Sequence, residues 1–213
     1  MKSIISVLQS DPYTRSSHHY GQVTFTGSRP IMAMHKSQSS PSTNSNPVGS
    51  EVAAYLVARH LRIGYLVPPT VRRLVDSHPH SFQQWLPPEW HHTIVNKVRR
   101  CRSLRDLVLL DTVIANRDRH PGNYLITSPT RIRAIDNAYS FAEDDGEMNP
   151  FNVHSPYKNI PLSTRHRQLL QTFFNNIDTI TLDLRPYLSD TAIDRMFQRV
   201  ARILNTNLYF TGE

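Results

Sequence analysis

Three oxygen-bearing side chains stand close together in the stretch "NRDRHPGNYLITSPTRIRAIDN": Asp118, Asn123 and Asp136. Asp118 and Asn123 have the spacing D-x-x-x-x-N, short enough for one loop. Asp136 follows two short apolar runs, "NYLIT" and "RIRAID", joined by the turn "SPT". A strand, a turn and a second strand bring the chain back to its start, so Asp136 is expected beside Asn123. Phosphoryl transfer needs a carboxylate that orients an acceptor hydroxyl and takes its proton, and oxygen ligands that hold magnesium against nucleotide phosphates. Asp118 suits the first task, and Asn123 with Asp136 the second. The purely structural alternative pairs the carboxylates with Arg117, Arg119, Arg131 and Arg133.

The elements that must position these groups are legible in outline. "SLRDLVLLDTVIAN" reads as a largely buried helix that delivers the chain into the Asp118 loop, with Ser103 as N-cap and Asp106 at the capping-box position. Upstream, "GQVTFTG" and "PIMAMHK" alternate as two strands of a hairpin, the second ending at Lys36. The polar run "SQSSPSTNSNPVGS" cannot bury a core and is expected to be a mobile loop. "SEVAAYLVARHL" follows as a helix, with Ser50 as N-cap and Glu51 in its first turn. "YLVPPTVRRL" reads as a strand with a proline break, and "SFQQWLPPEW" as another strand or a linker closing at the double proline. "LSTRHRQLLQTFFNNI" and "SDTAIDRMFQRVARIL" read as two helices, each opened by a serine cap.

The segments "LLDTVIANRDRHPGNYLI" and "IRAIDNAYSF" resemble the catalytic and metal-binding segments of the phosphatidylinositol 3- and 4-kinase-like superfamily, in particular its type II 4-kinase branch, with related patterns in HipA-like and Fam20-like atypical kinases. "GSEVAAYLVARHLRIGYLVPPTVRR" is similar to the small-lobe helix and following strand of the same group. The resemblance implies an ATP- and magnesium-dependent kinase. Asp118 would be the catalytic aspartate, with Asn123 and Asp136 as magnesium ligands. Lys36 would contact the phosphates, and Glu51 would be its helix partner. His120 has two readings, one in which it hydrogen-bonds the reacting phosphate and one in which it braces the loop. Arg117 and Arg119 are read as loop contacts, and Asn137 as an aid to the loop presenting Asp136. Trp85 or Leu86 would flank the base. The pattern departs from ordinary protein kinases in three places: no His-Arg precedes Asp118, no D-F-G surrounds Asp136, and no A-P-E follows. Only Gly21 and Gly27 stand where a glycine-rich loop would supply backbone amides to phosphate, so Gly21 is the glycine carried over to that task.

The expected fold is therefore α+β, a minimal two-lobed protein-kinase-like domain spanning residues 1–213. Residues 1–87 would form a small antiparallel sheet with one helix, and residues 88–213 a mostly helical lobe. The boundary falls near residues 86–90.

Composition narrows the partners. A formal net charge of +7 favours polyanions, among them nucleotide phosphates, nucleic acid and anionic lipid headgroups. A nucleic-acid-binding module is the main non-enzyme rival, but the magnesium-type oxygen ligands argue against it. Retention of Asp118, Asn123 and Asp136 together argues against a pseudokinase. Protein serine or threonine is the first choice of acceptor and an inositol lipid the second. The one cysteine, Cys101, rules out an intramolecular disulfide, which points to a reducing, cytoplasmic setting. No stretch reads as a signal peptide or a membrane span. The histidines of "SHHY", "HPH" and "HH" read as surface or linker residues rather than a zinc site, and nothing sets an oligomeric state. The closing "NTNLYFTGE" has the look of a tag.

Overall fold

The computed structural model describes residues 4–8, 18–25, 31–37, 46–86, 103–128, 131–143 and 154–210. Residues 38–45 of the polar run and 87–90 of the predicted boundary fall outside them, while the end of that run, Pro47 to Ser50, is helix rather than loop, with Val48, Gly49 and Ser50 buried.

Five strands form one antiparallel sheet in the order β1-β2-β3-β5-β4: β1 Ile4–Leu8, β2 His18–Phe25, β3 Ile31–Ser37, β4 Thr70–Val75 and β5 His78–Gln84. The expected β2-β3 hairpin is present, with Tyr20 opposite Met34 and Gly21 opposite Ala33. β1 was not foreseen. β4 starts just after the proline pair Pro68 and Pro69, because proline cannot donate to a ladder. The β4-β5 turn is made by Asp76 and Ser77, both at positive φ (48° and 65°), the backbone twist that a two-residue hairpin requires. Pro79 is accepted in β5 because the pairing with β3 begins only at His80.

Helix α1, Pro47–His60, packs against β4 and β5 on one side and the helical region on the other. It is therefore buried nearly all round, from Val48 to Ala54 without interruption. Its start differs from expectation. Asn46, not Ser50, is the N-cap, with its side chain accepting from the Gly49 amide at 2.9 Å. Glu51 accordingly lies beyond the first turn. Ser50 is inside the helix, and its hydroxyl donates to the carbonyl of Ser140 at 3.2 Å.

The larger core lies in the helical region, where Leu107, Leu110 and Ile114 of α2 (Leu104–Ile114) meet Leu170, Phe173, Met196 and Val200. α3 (Thr164–Asn175), α4 (Ile177–Leu184) and α5 (Asp190–Thr206) complete the described helices. Ser163 and Ser189 cap α3 and α5 as predicted, accepting from the amides of His166 and Ala192. The short α4 between them was not foreseen. The predicted capping box at α2 does not form. Ser103 accepts from the Ile132 amide at 2.8 Å, and Asp106 turns instead to Tyr65, Arg165 and His166. A strand edge, and for Asp106 a set of side-chain donors, outcompete the local cap. Within the closing segment Tyr209 is buried, and its hydroxyl lies 2.8 Å from His166 Nδ1.

Candidate active site

α2 ends at Ala115, whose left-handed backbone (φ 49°) turns the chain out of the helix. Asn116 then accepts from the Asp118 amide through Oδ1 at 2.9 Å, closing an Asx turn that fixes the start of the loop. A short 3-10 turn, Pro121–Asn123, leads into the hairpin of β6 (Tyr124–Ser128) and β7 (Arg131–Ala134). The amide of Ile135 donates to the carbonyl of Asn123 at 3.1 Å, so the hairpin closes as its sequence predicts, with Asp136 one residue past that bond.

Asn123 Nδ2 donates to both the carbonyl and the Oδ2 of Asp118, at 2.7 and 3.1 Å. With its amide nitrogen committed, Asn123 has Oδ1 left over as an oxygen donor. Asp136 has a left-handed backbone (φ 53°), a region aspartate tolerates better than most residues. Its Oδ1 accepts from Lys36 Nζ at 2.7 Å, and the same ammonium donates to Glu51 Oε1 at 2.5 Å. Burial alone would lower the Lys36 pKa; the carboxylates of Glu51 and Asp136 outweigh it and hold the ammonium above its ordinary value. The sheet, α1 and the hairpin thus meet at one lysine.

The remaining sequence-chosen residues divide. His120 accepts from the Gly122 amide through Nδ1 at 3.0 Å, and its Nε2 lies 3.9 Å from Asp118 Oδ2. The bracing contact is therefore present, and in the neutral ring the proton sits on Nε2, facing Asp118. Gly21 is in the middle of β2 opposite Ala33, three residues short of Lys36 on the neighbouring strand. Gly27 lies outside the described residues. A carboxylate of Asp136 and an amide oxygen of Asn123 are hard oxygen donors that suit magnesium, and the charged lysine paired with Asp136 suits phosphate. The donor set fits a magnesium nucleotide.

A second network was only partly read from the sequence. The Arg119 side chain is fully buried and pairs with Asp111 of α2, its Nε and Nη2 lying 3.0 to 3.2 Å from the carboxylate oxygens. Its Nη1 donates to the carbonyls of Asn123 and Ile135, and its Nη2 to Asn137 Oδ1 at 2.5 Å. His154 Nε2 closes on Asp111 Oδ2 at 2.9 Å. Burial raises the Asp111 pKa, but Arg119 and then His154 outweigh it and hold the carboxyl below its usual range. Arg119 and Asn137 serve the loop as expected. Asp111 and His154 were missed. The signal for Asp111 was a carboxylate inside the apolar run "LVLLDTVI", which a buried helix accepts only with a partner. His154 gave none.

No protein-family model matches the chain, and no curated protein matches it. Among solved structures the chain is similar to the crystal structure of a Helicobacter pylori proinflammatory kinase, CtkA, at 12% identity. The match covers 94% of this chain and 93% of that one, with a TM-score of 0.53. That likeness shows the fold, α+β and two-lobed in the manner of kinases.

Proposed function

We propose that the chain is an ATP- and magnesium-dependent phosphotransferase that moves the γ-phosphoryl group to a hydroxyl of protein serine or threonine. The observation that carries the reading is the meeting of Lys36, Glu51 and Asp136, drawn from a sheet, a helix and a hairpin, with Lys36 and Asp136 100 residues apart in sequence. A buried ion pair with one acid would be an ordinary structural contact. A lysine shared by two acids, one of them next to the residue whose amide bonds the Asn123 carbonyl, is better suited to phosphate and metal. The kinase-like fold supports the same reading.

Asn123 and Asp136 would hold magnesium, which when bound neutralises charge on the transferred phosphoryl group. Lys36, kept charged and steered by Glu51, would bind the nucleotide phosphates as a point charge. Asp118 would orient the acceptor hydroxyl and take its proton as the bond from the acceptor oxygen to the γ-phosphorus forms. The bond from that phosphorus to the bridging oxygen breaks, and ADP leaves. Asn123 holds the Asp118 side chain toward its own amide, which limits the directions the carboxylate can face. The resemblance to phosphatidylinositol 3- and 4-kinases makes an inositol lipid the second acceptor to test. Among the described residues no helix is long and apolar enough to cross a membrane.

Labelled ATP supplied with a panel of proteins and, separately, with phosphoinositide vesicles tests the reading. Transfer to protein hydroxyls is expected. Transfer to lipid alone replaces the acceptor, and magnesium-nucleotide binding with no transfer to either overturns the enzyme.

A further inference from the structure

We propose that Arg119 is a positioning residue that holds the backbone of Asp136 in the conformation needed to bind magnesium, a role that rests on the phosphotransferase reading above. Asp136 is flanked by Ile135 and Asn137, and Arg119 grips both: Nη1 takes the Ile135 carbonyl at 2.5 Å and Nη2 takes the Asn137 side chain at 2.5 Å. Between these two anchors Asp136 sits at φ 53°. Aspartate tolerates that region better than most residues, yet it still costs energy there, and the contacts on either side hold it in place. The same Nη1 also donates to the carbonyl of Asn123, which already accepts from the Ile135 amide. One planar guanidinium therefore sets the spacing between the backbones of both candidate metal ligands.

The clamp is itself anchored. Asp111, wholly buried on α2, neutralises Arg119, and His154 Nε2 lies 2.9 Å from the Asp111 oxygen Oδ2. The metal ligands are thereby referred to the most buried helix rather than to the loop that carries them. Lysine cannot replace this arrangement, because a single ammonium lacks the rigid fork that reaches a carboxylate, two carbonyls and an amide oxygen together.

The test compares Arg119→Lys and Asn137→Ala with the unaltered protein. Calorimetry with ATP, with and without magnesium, gives nucleotide and metal affinities. Hydrogen exchange of the metal-free proteins gives the mobility of Ile135 to Asn137. Arg119→Lys is expected to weaken magnesium-dependent nucleotide binding by about 10- to 100-fold, the range found when a partner that orients a metal ligand is lost, and to leave metal-free ATP binding within about twofold. Exchange should rise at 135–137 and stay unchanged in α5, whereas loss of a merely structural pair would raise both. Asn137→Ala keeps the Arg119–Asp111 pair and should shift magnesium affinity in the same direction by less. A folded Arg119→Lys with unchanged magnesium affinity overturns the clamp; if that variant does not fold, an unchanged Asn137→Ala does so. An unaltered protein that binds no magnesium nucleotide overturns the underlying reading instead.

Discussion

Lys36 Nζ lies 2.7 Å from Asp136 Oδ1 and 2.5 Å from Glu51 Oε1, so one ammonium joins the sheet, the helix beside it and the hairpin loop. The Lys36 side chain is largely buried and that of Glu51 almost wholly so. Removing the ammonium leaves a buried carboxylate without its counter-charge, which is costly in a low-dielectric site. Lys36→Met should therefore abolish ATP turnover and also lower stability. Steady-state kinetics and urea unfolding of the same preparation check both outcomes.

The same pair sets an alkaline limit. Because the folded state raises the Lys36 pKa above 10.5, its proton is held more tightly than in the unfolded chain. The resulting stabilisation is complete below that value and is lost as pH rises through the folded-state pKa. Unfolding curves taken from pH 9 upward should fall less steeply for Lys36→Met than for the unaltered protein; parallel curves would contradict the linkage.

Asp106 makes the matching prediction in acid. Burial raises its pKa, but bonds from His166, Tyr65 and Arg165 outweigh that and hold it below 3.8. Its stabilisation is present above that value and lost as pH falls through the folded-state pKa. Asp106→Asn should cost about 2 kcal/mol near neutrality, the scale of a buried hydrogen-bond partner removed, and should flatten the acid limb of the stability profile. Tm measured from pH 2 to 7 gives the comparison.

Asp118 and Asp136 should separate binding from chemistry. Asp136→Ala should abolish magnesium-dependent nucleotide binding and turnover together. Asp118→Asn should leave nucleotide affinity intact and lower turnover by about 10²- to 10⁴-fold, the usual contribution of a positioned base. Normal turnover in either variant would remove that residue from its role.

Gly49 tests how α1 is seated. A Cβ built there runs into the Tyr187 carbonyl and comes within 2.6 Å of Asn46 Nδ2, the group that donates to that carbonyl. Backbone on one side and the N-cap on the other cannot both give way. Gly49→Ala should destabilise by about 1–3 kcal/mol, as overpacking does, despite alanine's better helix propensity. A variant as stable as the parent would show that α1 can shift.

The sequence by itself determined the groups with chemistry and the local elements that carry them. The D-x-x-x-x-N spacing, the hairpin that returns Asp136 to Asn123 and the serine caps of α3 and α5 are all short-range relations, set by turn chemistry and periodicity within a few residues. Tertiary structure decided what depends on long-range partners. Ser50 read as a cap but lies inside α1 and serves Ser140, and Ser103 stands at the N-cap of α2 as expected while its hydroxyl serves β7, because buried carbonyls and amides elsewhere in the fold needed partners more than the helix ends did. Asp106 turned from the capping role to the donors Tyr65, Arg165 and His166, because a carboxylate this buried needs more than one of them. That Lys36 reaches Asp136, and that Arg119 holds both sides of Asp136 while Asp111 neutralises it, could not be read from spacing. A buried charge is stable only beside an opposite charge, and which one arrives is settled by the packing of whole elements.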